Sequence, residues 1–230
     1  MGNVLRPKRH RSIMVVGLDN SGKTTLLCNL KGVQEKVETE ALAMGVRTAQ
    51  TLPTSGMQLM EYETITPPPA SSLLKLNEVT HWQIWDMSGQ GRYRDMWKLY
   101  AGQVDGIIFV VDLTDGPRVA IAYKELRLLL QSERIRMRSE PMPIAFCCTK
   151  KELAEAVATG SAPSWAIDAG VTPGAAVDRL LEDEARKGLG VDALKNQGSN
   201  VAVLRWHFGE DIEAALEDIG RHLETQAQVT

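Results

Sequence analysis

Two kinds of pattern alternate along the chain. Short runs of β-branched and apolar residues at 13–16, 106–111, 144–148 and 201–204 are each followed by a stretch of helical character. Helical periodicity is read over 24–30, 119–130 and 212–223, with a further helix expected after 148. The last is the clearest, because Ile212, Leu216, Ile219 and Leu223 recur every three or four residues and make one buried stripe. Such alternation predicts an α/β fold, a mostly parallel sheet flanked by helices on both faces. Residues 57–63 and 80–86 break the alternation. No helical pattern lies between them, so they are expected to form one antiparallel hairpin whose loop carries Pro67-Pro68-Pro69, a stiff and exposed segment.

Three stretches read as insertions. Residues 32–51 are charged and weakly periodic, 64–78 hold the proline run, and 154–199 are Ala/Gly-rich, with one helix started by Thr172-Pro173 and running to about residue 186. The expected organisation is a single domain over 12–225, between a basic N-terminal tail, 1–11, and a short polar tail, 226–230.

Composition narrows the class. The 230 residues are 43% hydrophobic and 24% charged, an ordinary balance for a chain with one sizeable core. The longest uncharged apolar runs fall far short of the ~20 residues of a bilayer helix, and no signal-peptide pattern follows the first residues, so a soluble intracellular protein is expected. Cys147 and Cys148 are adjacent, and neighbours on a strand point to opposite faces. The three cysteines therefore read as reduced core residues, not as a disulfide framework. Arg6, Lys8, Arg9 and Arg11 stand in the first eleven residues with no acid, leaving 22 basic against 29 acidic residues in the rest. A cationic tip on an acidic body points to a membrane surface and not to nucleic acid, although a solvated tail explains it as well.

The run 13–16 enters Gly17-Leu18-Asp19-Asn20-Ser21-Gly22-Lys23-Thr24, which fits G-x-x-x-x-G-K-[ST] and is followed by Thr25 and a helical pattern. Strand before and helix after make this a phosphate-binding loop: glycines let the backbone bend tightly, and amide N–H groups and a helix N-terminus face the anion. Lys23 would neutralise the β/γ-phosphates, and the Thr24 hydroxyl would take a place on Mg²⁺. Asp86 closes an apolar run at Trp82-Gln83-Ile84-Trp85 and can hold a water on that ion. Gly89 admits a close backbone approach to the γ-phosphate, and Gln90 can orient an attacking water, the role of glutamine in GTPases.

"GLDNSGKTT", "LPTSG" and "WDMSGQGRYR" resemble the phosphate loop, switch I and switch II of the ADP-ribosylation-factor-like small GTPases. The string "DMSGQGRYR" is most similar to the ciliary, coat-recruiting branch of that family. The resemblance implies the P-loop NTPase small-GTPase fold with GTP/GDP and Mg²⁺ as cofactors. It gives Thr54 the switch I role: hydroxyl on Mg²⁺, backbone sensing the γ-phosphate. It assigns the effector surface to Met57, Trp85 and Tyr100, with Met57 where phenylalanine is usual. Thr149-Lys150-Lys151-Glu152 stands where the family reads guanine with Asn-Lys-x-Asp. Thr149 and Lys150 fit, but the longer Glu152 must be accommodated, which predicts weakened guanine selectivity. Ala202-Val203-Leu204-Arg205 does not reproduce the family's base-supporting loop.

Without a built-in arginine such a site should hydrolyse GTP slowly and need an activating protein. Arg92 and Arg94 lie near Gln90 in sequence, but exposed switch arginines more often contact partners or solvent. Gly2 is compatible with myristoylation although residue 6 is Arg6, with the basic cluster as the required second membrane signal. Pro7 and four basic residues leave no apolar face for an amphipathic helix. The leading expectation is a GTP-binding switch, cytoplasmic and peripheral on membranes, at the base of a cilium or flagellum. It would have an exchange factor and an effector or coat complex as partners. A non-hydrolysing nucleotide-bound scaffold is the alternative. A phosphate-loop kinase fits less well, because Thr54 and Asp86-x-x-Gly89-Gln90 have no kinase counterpart at those spacings.

Overall fold

The computed structural model describes residues 9–30, 54–66, 78–158, 200–208 and 212–229. Six strands form one sheet in the order β2-β3-β1-β4-β5-β6. They are β1 (Arg9–Val16), β2 (Met57–Thr66), β3 (Glu78–Met87), β4 (Gly106–Asp112), β5 (Met142–Thr149) and β6 (Val201–Phe208). All neighbours run parallel except β2 and β3, which form the expected hairpin in the register Leu59↔Trp85 and Gln58↔Asp86. The helices are α1 (Lys23–Cys28), α2 (Asp95–Tyr100), α3 (Val119–Leu130), α4 (Glu133–Arg136), α5 (Lys151–Ala158) and α6 (Ile212–Val229).

The central strands are buried on both faces, which is why they read as continuous apolar runs. Met14, Val16, Phe109, Phe146 and Cys148 pack on one side with Leu126 and Leu129 of α3. Ile13, Val15, Ile108 and Cys147 pack on the other, against Leu26 and Leu27 of α1 and the α6 stripe Ile212, Leu216, Ile219 and Leu223. The two adjacent cysteines are free and divide between the two cores. Burial pushes the Cys148 thiol up to about 12, so it stays protonated and inert.

Several boundaries differ from the sequence reading. β6 runs to Phe208, four residues beyond the expected end, because parallel pairing with β5 continues through Phe146↔Trp206 and Cys148↔Phe208 after a bulge. Residues 202–205 therefore lie inside a strand. The helix expected after 148 is α5, which starts directly after Lys150 and runs to Ala158, into the stretch read as an insertion from 154. α6 continues to Val229, into the stretch read as a polar tail. β1 begins at Arg9, whose guanidinium pairs with Glu78 of β3 at 3.3 Å and also with Glu224 of α6. One of the four basic residues of the N-terminal cluster is thus committed to the fold. Gly2, the 32–51 insertion, the proline loop and the expected helix at 172–186 lie outside the described residues. Among the described residues, no helix is long and apolar enough to cross a membrane.

Candidate functional site

The C-terminal ends of β1, β3, β4 and β5 converge on the loop Gly17–Gly22. β1 ends flush against β4, and a Cβ on Gly17 would lie 2.3 Å from the Val110 carbonyl oxygen, so only glycine lets the chain turn there. Gly22 sits at φ 84° and hands the chain to α1. Lys23 is 6% exposed and folds back over the loop, donating to the carbonyls of Leu18 at 2.7 Å and Gly17 at 3.0 Å. Burial lowers its ammonium to about 8, partly offset by the nearby carboxylates of Asp86 and Asp19.

Asp86 is fully buried at the end of β3. Its Oδ2 accepts from the Thr24 hydroxyl at 2.7 Å and the Thr54 hydroxyl at 3.2 Å, and the two hydroxyl oxygens are 3.1 Å apart. Among the described residues, its Oδ1 has no hydrogen-bond partner. Burial raises the Asp86 carboxyl, against the pull of Thr24, Lys23 and Thr54. A buried carboxylate oxygen with no donor, beside two hydroxyls in one cluster, is an all-oxygen set suited to a hard cation. Thr24 and Thr54 would hold Mg²⁺ directly and Asp86 through water, which supplies charge stabilisation to a phosphoryl group.

One cleft is lined by Asp19, Asn20, Gly22, Lys23, Thr24, Thr25, Thr54, Ser88, Gly89 and Gln90. The sequence reading named all of these except Ser88. Gly89 lies against the phosphate loop, where an added Cβ would be 2.4 Å from the Asp19 nitrogen, and its carbonyl accepts the Asp19 N–H at 3.1 Å. Gln90 follows, and its Oε1 accepts from Arg92 Nε at 3.1 Å. Just beyond, the buried Trp97 indole donates to the Ser88 carbonyl at 3.0 Å.

Thr149 and Lys150 join the site from β5. The Thr149 hydroxyl donates to the Ser21 carbonyl at 2.7 Å, and Lys150, at φ 59°, donates to the Asn20 carbonyl at 3.0 Å and to Asp112 Oδ2 at 2.5 Å. Both side chains staple the strand end to the phosphate loop. Glu152 stands exposed in the first turn of α5, on the same edge. Away from the cleft, Trp85 and Tyr100 touch edge to face at 5.1 Å and are half-buried. Met57 is 36% exposed, and Leu59, which the sequence reading passed over, is 48% exposed directly across from Trp85. Also missed were Arg118 and the Asp112 partner of Lys150, since no local spacing links them to the loop they support.

A hairpin standing antiparallel beside an otherwise parallel sheet, and joining the two segments that meet at Asp86, makes the chain a small GTPase by fold. Residues 1–162 match the model of the ADP-ribosylation factor family, and the chain belongs to that family. It is 34% identical over 150 residues to ADP-ribosylation factor-like protein 6 of Danio rerio, covering 65% of this chain and 67% of that protein. It is 27% identical over 218 residues to ADP-ribosylation factor-like protein 1 of Caenorhabditis elegans, covering 94% and 91%. The fold is similar to that of the Arl6 BBS3 small GTPase from Trypanosoma brucei with a bound nucleotide analogue, GppNp. That match has a TM-score of 0.59 at 18% identity and covers 95% of this chain and 98% of that one. Membership makes the chain a GTP-binding switch of the Arf/Arl type, a class that works with effectors, exchange factors and activating proteins.

The lowered Lys23 value gives a pH dependence. The free site releases the Lys23 proton near pH 8, whereas a bound polyphosphate favours the charged form. Affinity for GDP should therefore be flat below pH 8 and fall by up to about tenfold per unit above it. Calorimetric titrations at pH 7 and pH 9 read this, and equal affinities would show that the lysine stays charged in the free protein.

Proposed function

We propose that the chain is a magnesium-dependent GTP switch that hydrolyses GTP slowly and, in its GTP form, recruits an effector or coat complex to a membrane. The meeting of Thr24, Thr54 and Asp86 around an unpartnered carboxylate oxygen carries the reading. It unites the phosphate loop, switch I and the end of β3 at a single point, so that γ-phosphate and metal would bias both switches together. Gly17, Asp19, Asn20, Ser21, Gly22, Lys23, Thr24 and Thr25 would cradle the phosphates, and Thr149, Lys150 and Glu152 would face the base. Gln90 would orient the attacking water. Hydrolysis would be slow because both switch II arginines are engaged, Arg92 on Gln90 and Arg94 on Asp19, leaving the missing charge to an activating protein.

The effector would dock on Met57, Trp85 and Tyr100, extended by Leu59, where apolar area stands exposed beside the switches. Its membrane contact would use the N-terminus, by acylation of Gly2 together with the basic residues that follow. A place at the base of a cilium or flagellum is supported by the likeness to ADP-ribosylation factor-like protein 6. The test is the nucleotide that copurifies, followed by single-turnover hydrolysis with and without Mg²⁺. Bound GDP or GTP and metal-dependent turnover are expected, whereas ATP in the site would sink the proposal.

Glu152→Asp tests the base-reading edge. Shortening the side chain restores the length that reaches guanine in the family's signature, and a carboxylate that regains two hydrogen bonds gains about 1–3 kcal/mol. GDP affinity should rise at least about fivefold, while affinity for inosine diphosphate, which lacks the 2-amino group, should rise less. Parallel gains for both would place Glu152 away from that amino group.

A further inference from the structure

Arg94 does not face solvent, as an ordinary switch II arginine would. Its side chain is 13% exposed and turns back to the phosphate loop. Nε donates to the Gly89 carbonyl at 2.7 Å, Nη2 to Asp19 Oδ1 at 3.0 Å, and Nη1 lies 3.5 Å from Glu125 Oε1 on α3. The other Asp19 oxygen is held from a different element. Arg118, just before α3, donates through Nη1 to Asp19 Oδ2 at 3.0 Å and through Nη2 to the Asp19 carbonyl at 3.2 Å, while its Nε binds Asp115 at 2.6 Å. Burial works against the Asp19 charge, but the Arg118 hydrogen bond and the positive field of both arginines hold its carboxyl below the usual value.

Asp19 is thus gripped from two sides. Arg118 anchors it to the body of the fold, and Arg94 ties it to switch II. Gly89 completes the circuit, because its carbonyl accepts both the Asp19 N–H and Arg94 Nε. The next residue is Gln90. We propose that Arg94 is a positioning residue that acts through Asp19: it clamps Gly89 to the phosphate loop and thereby sets Gln90 at the mouth of the cleft. The clamp governs the rate of hydrolysis and not the affinity for nucleotide. This deepens the GTP-switch reading and rests on it.

Two features separate this role from that of a catalytic cation. The Arg94 guanidinium is already occupied by three acceptors, so its charge is spent within the protein. Its planar fork also spans a carbonyl and a carboxylate at once, which the point charge of a lysine does not reproduce. An isolated surface ion pair in the same place would matter little; here Asp19 is 38% exposed, but Arg94 is only 13% exposed and the shared acceptors couple the members of the network.

The test uses the full chain loaded with GTP. Arg94→Ala should slow single-turnover hydrolysis about 10- to 100-fold, the scale of a displaced catalytic group, with GTP affinity within about twofold of wild type. Arg94→Lys should recover only part of the rate. The Asp19→Ala/Arg94→Ala double variant should be no slower than the slower single variant, and Arg94→Ala should add nothing in a Gln90→Leu background. Independent, multiplying losses would overturn the proposal, as would a further loss in the Gln90→Leu background, which would put the arginine on the phosphate itself. Where wild-type turnover is too slow to time, amide exchange across 88–94 with a non-hydrolysable GTP analogue reads the same clamp. It should quicken alike in Arg94→Ala and Asp19→Ala, and unchanged exchange overturns the proposal. Wild-type protein that takes up no GTP would remove the GTP-switch reading, and this inference with it.

Discussion

Lys23→Ala is expected to weaken GDP and GTP binding about 10²- to 10³-fold. The lysine is almost wholly buried, yet its hydrogen bonds run to the loop's own carbonyls of Gly17 and Leu18. With polyphosphate present, the same ammonium is the loop's one buried cation beside the incoming negative charge. Removing one partner of a buried, hydrogen-bonded charge pair costs about 2–5 kcal/mol, which sets the expected range. The two carbonyls lose a donor as well, so part of the effect belongs to the free protein. Titration calorimetry for affinity and a thermal melt of the nucleotide-free protein separate the two. A loss of less than tenfold, with an unchanged melt, would mean that backbone amides carry the phosphate without the lysine.

Gln90→Leu should lower single-turnover hydrolysis about 10²-fold or more while leaving GTP affinity within a factor of two. Leucine fills similar space but offers no group to hold a water, so the loss falls on the chemical step alone. In the structure the Gln90 oxygen is engaged by Arg92 Nε. Arg92→Ala should therefore free the amide and raise the intrinsic rate. A Gln90→Leu protein as fast as wild type would show that another group positions the water, and equal, negligible rates with an activating protein present would favour a fixed scaffold.

Much of this site was open to reading because its chemistry is local. Gly17 to Thr25 form one loop, and the side chains that approach a phosphate must lie within it. Asp86 and Gln90 were legible for a related reason: a strand end fixes where they point. The base-reading edge was harder. The run 201–204 marked a short strand, with 202–205 compared to a loop, but β5 keeps pairing past it and carries β6 on to Phe208. Only the neighbouring strand, 60 residues earlier in the chain for Cys148↔Phe208, holds that information. Asp19 was placed correctly on the loop while its grip by Arg94 and Arg118 went unseen, since those residues stand 75 and 99 positions away. Periodicity marked α6 and its stripe without fault, but it could not find its end, because the final turns extend beyond the core that patterned the rest.

The Trp97 indole gives the molecule a signal of its own. It is 1% exposed and bonded to the carbonyl of Ser88, one residue before Gly89. Any motion of this segment that lengthens that bond changes the polarity around the ring, and with it the colour and intensity of its near-ultraviolet emission. Trp82, whose N–H is held by Thr64 within the hairpin, and the half-buried Trp85 emit as well, and comparison with Trp97→Phe isolates the Trp97 signal. Loading and turnover can then be followed by light in unlabelled protein, in real time and with natural nucleotides.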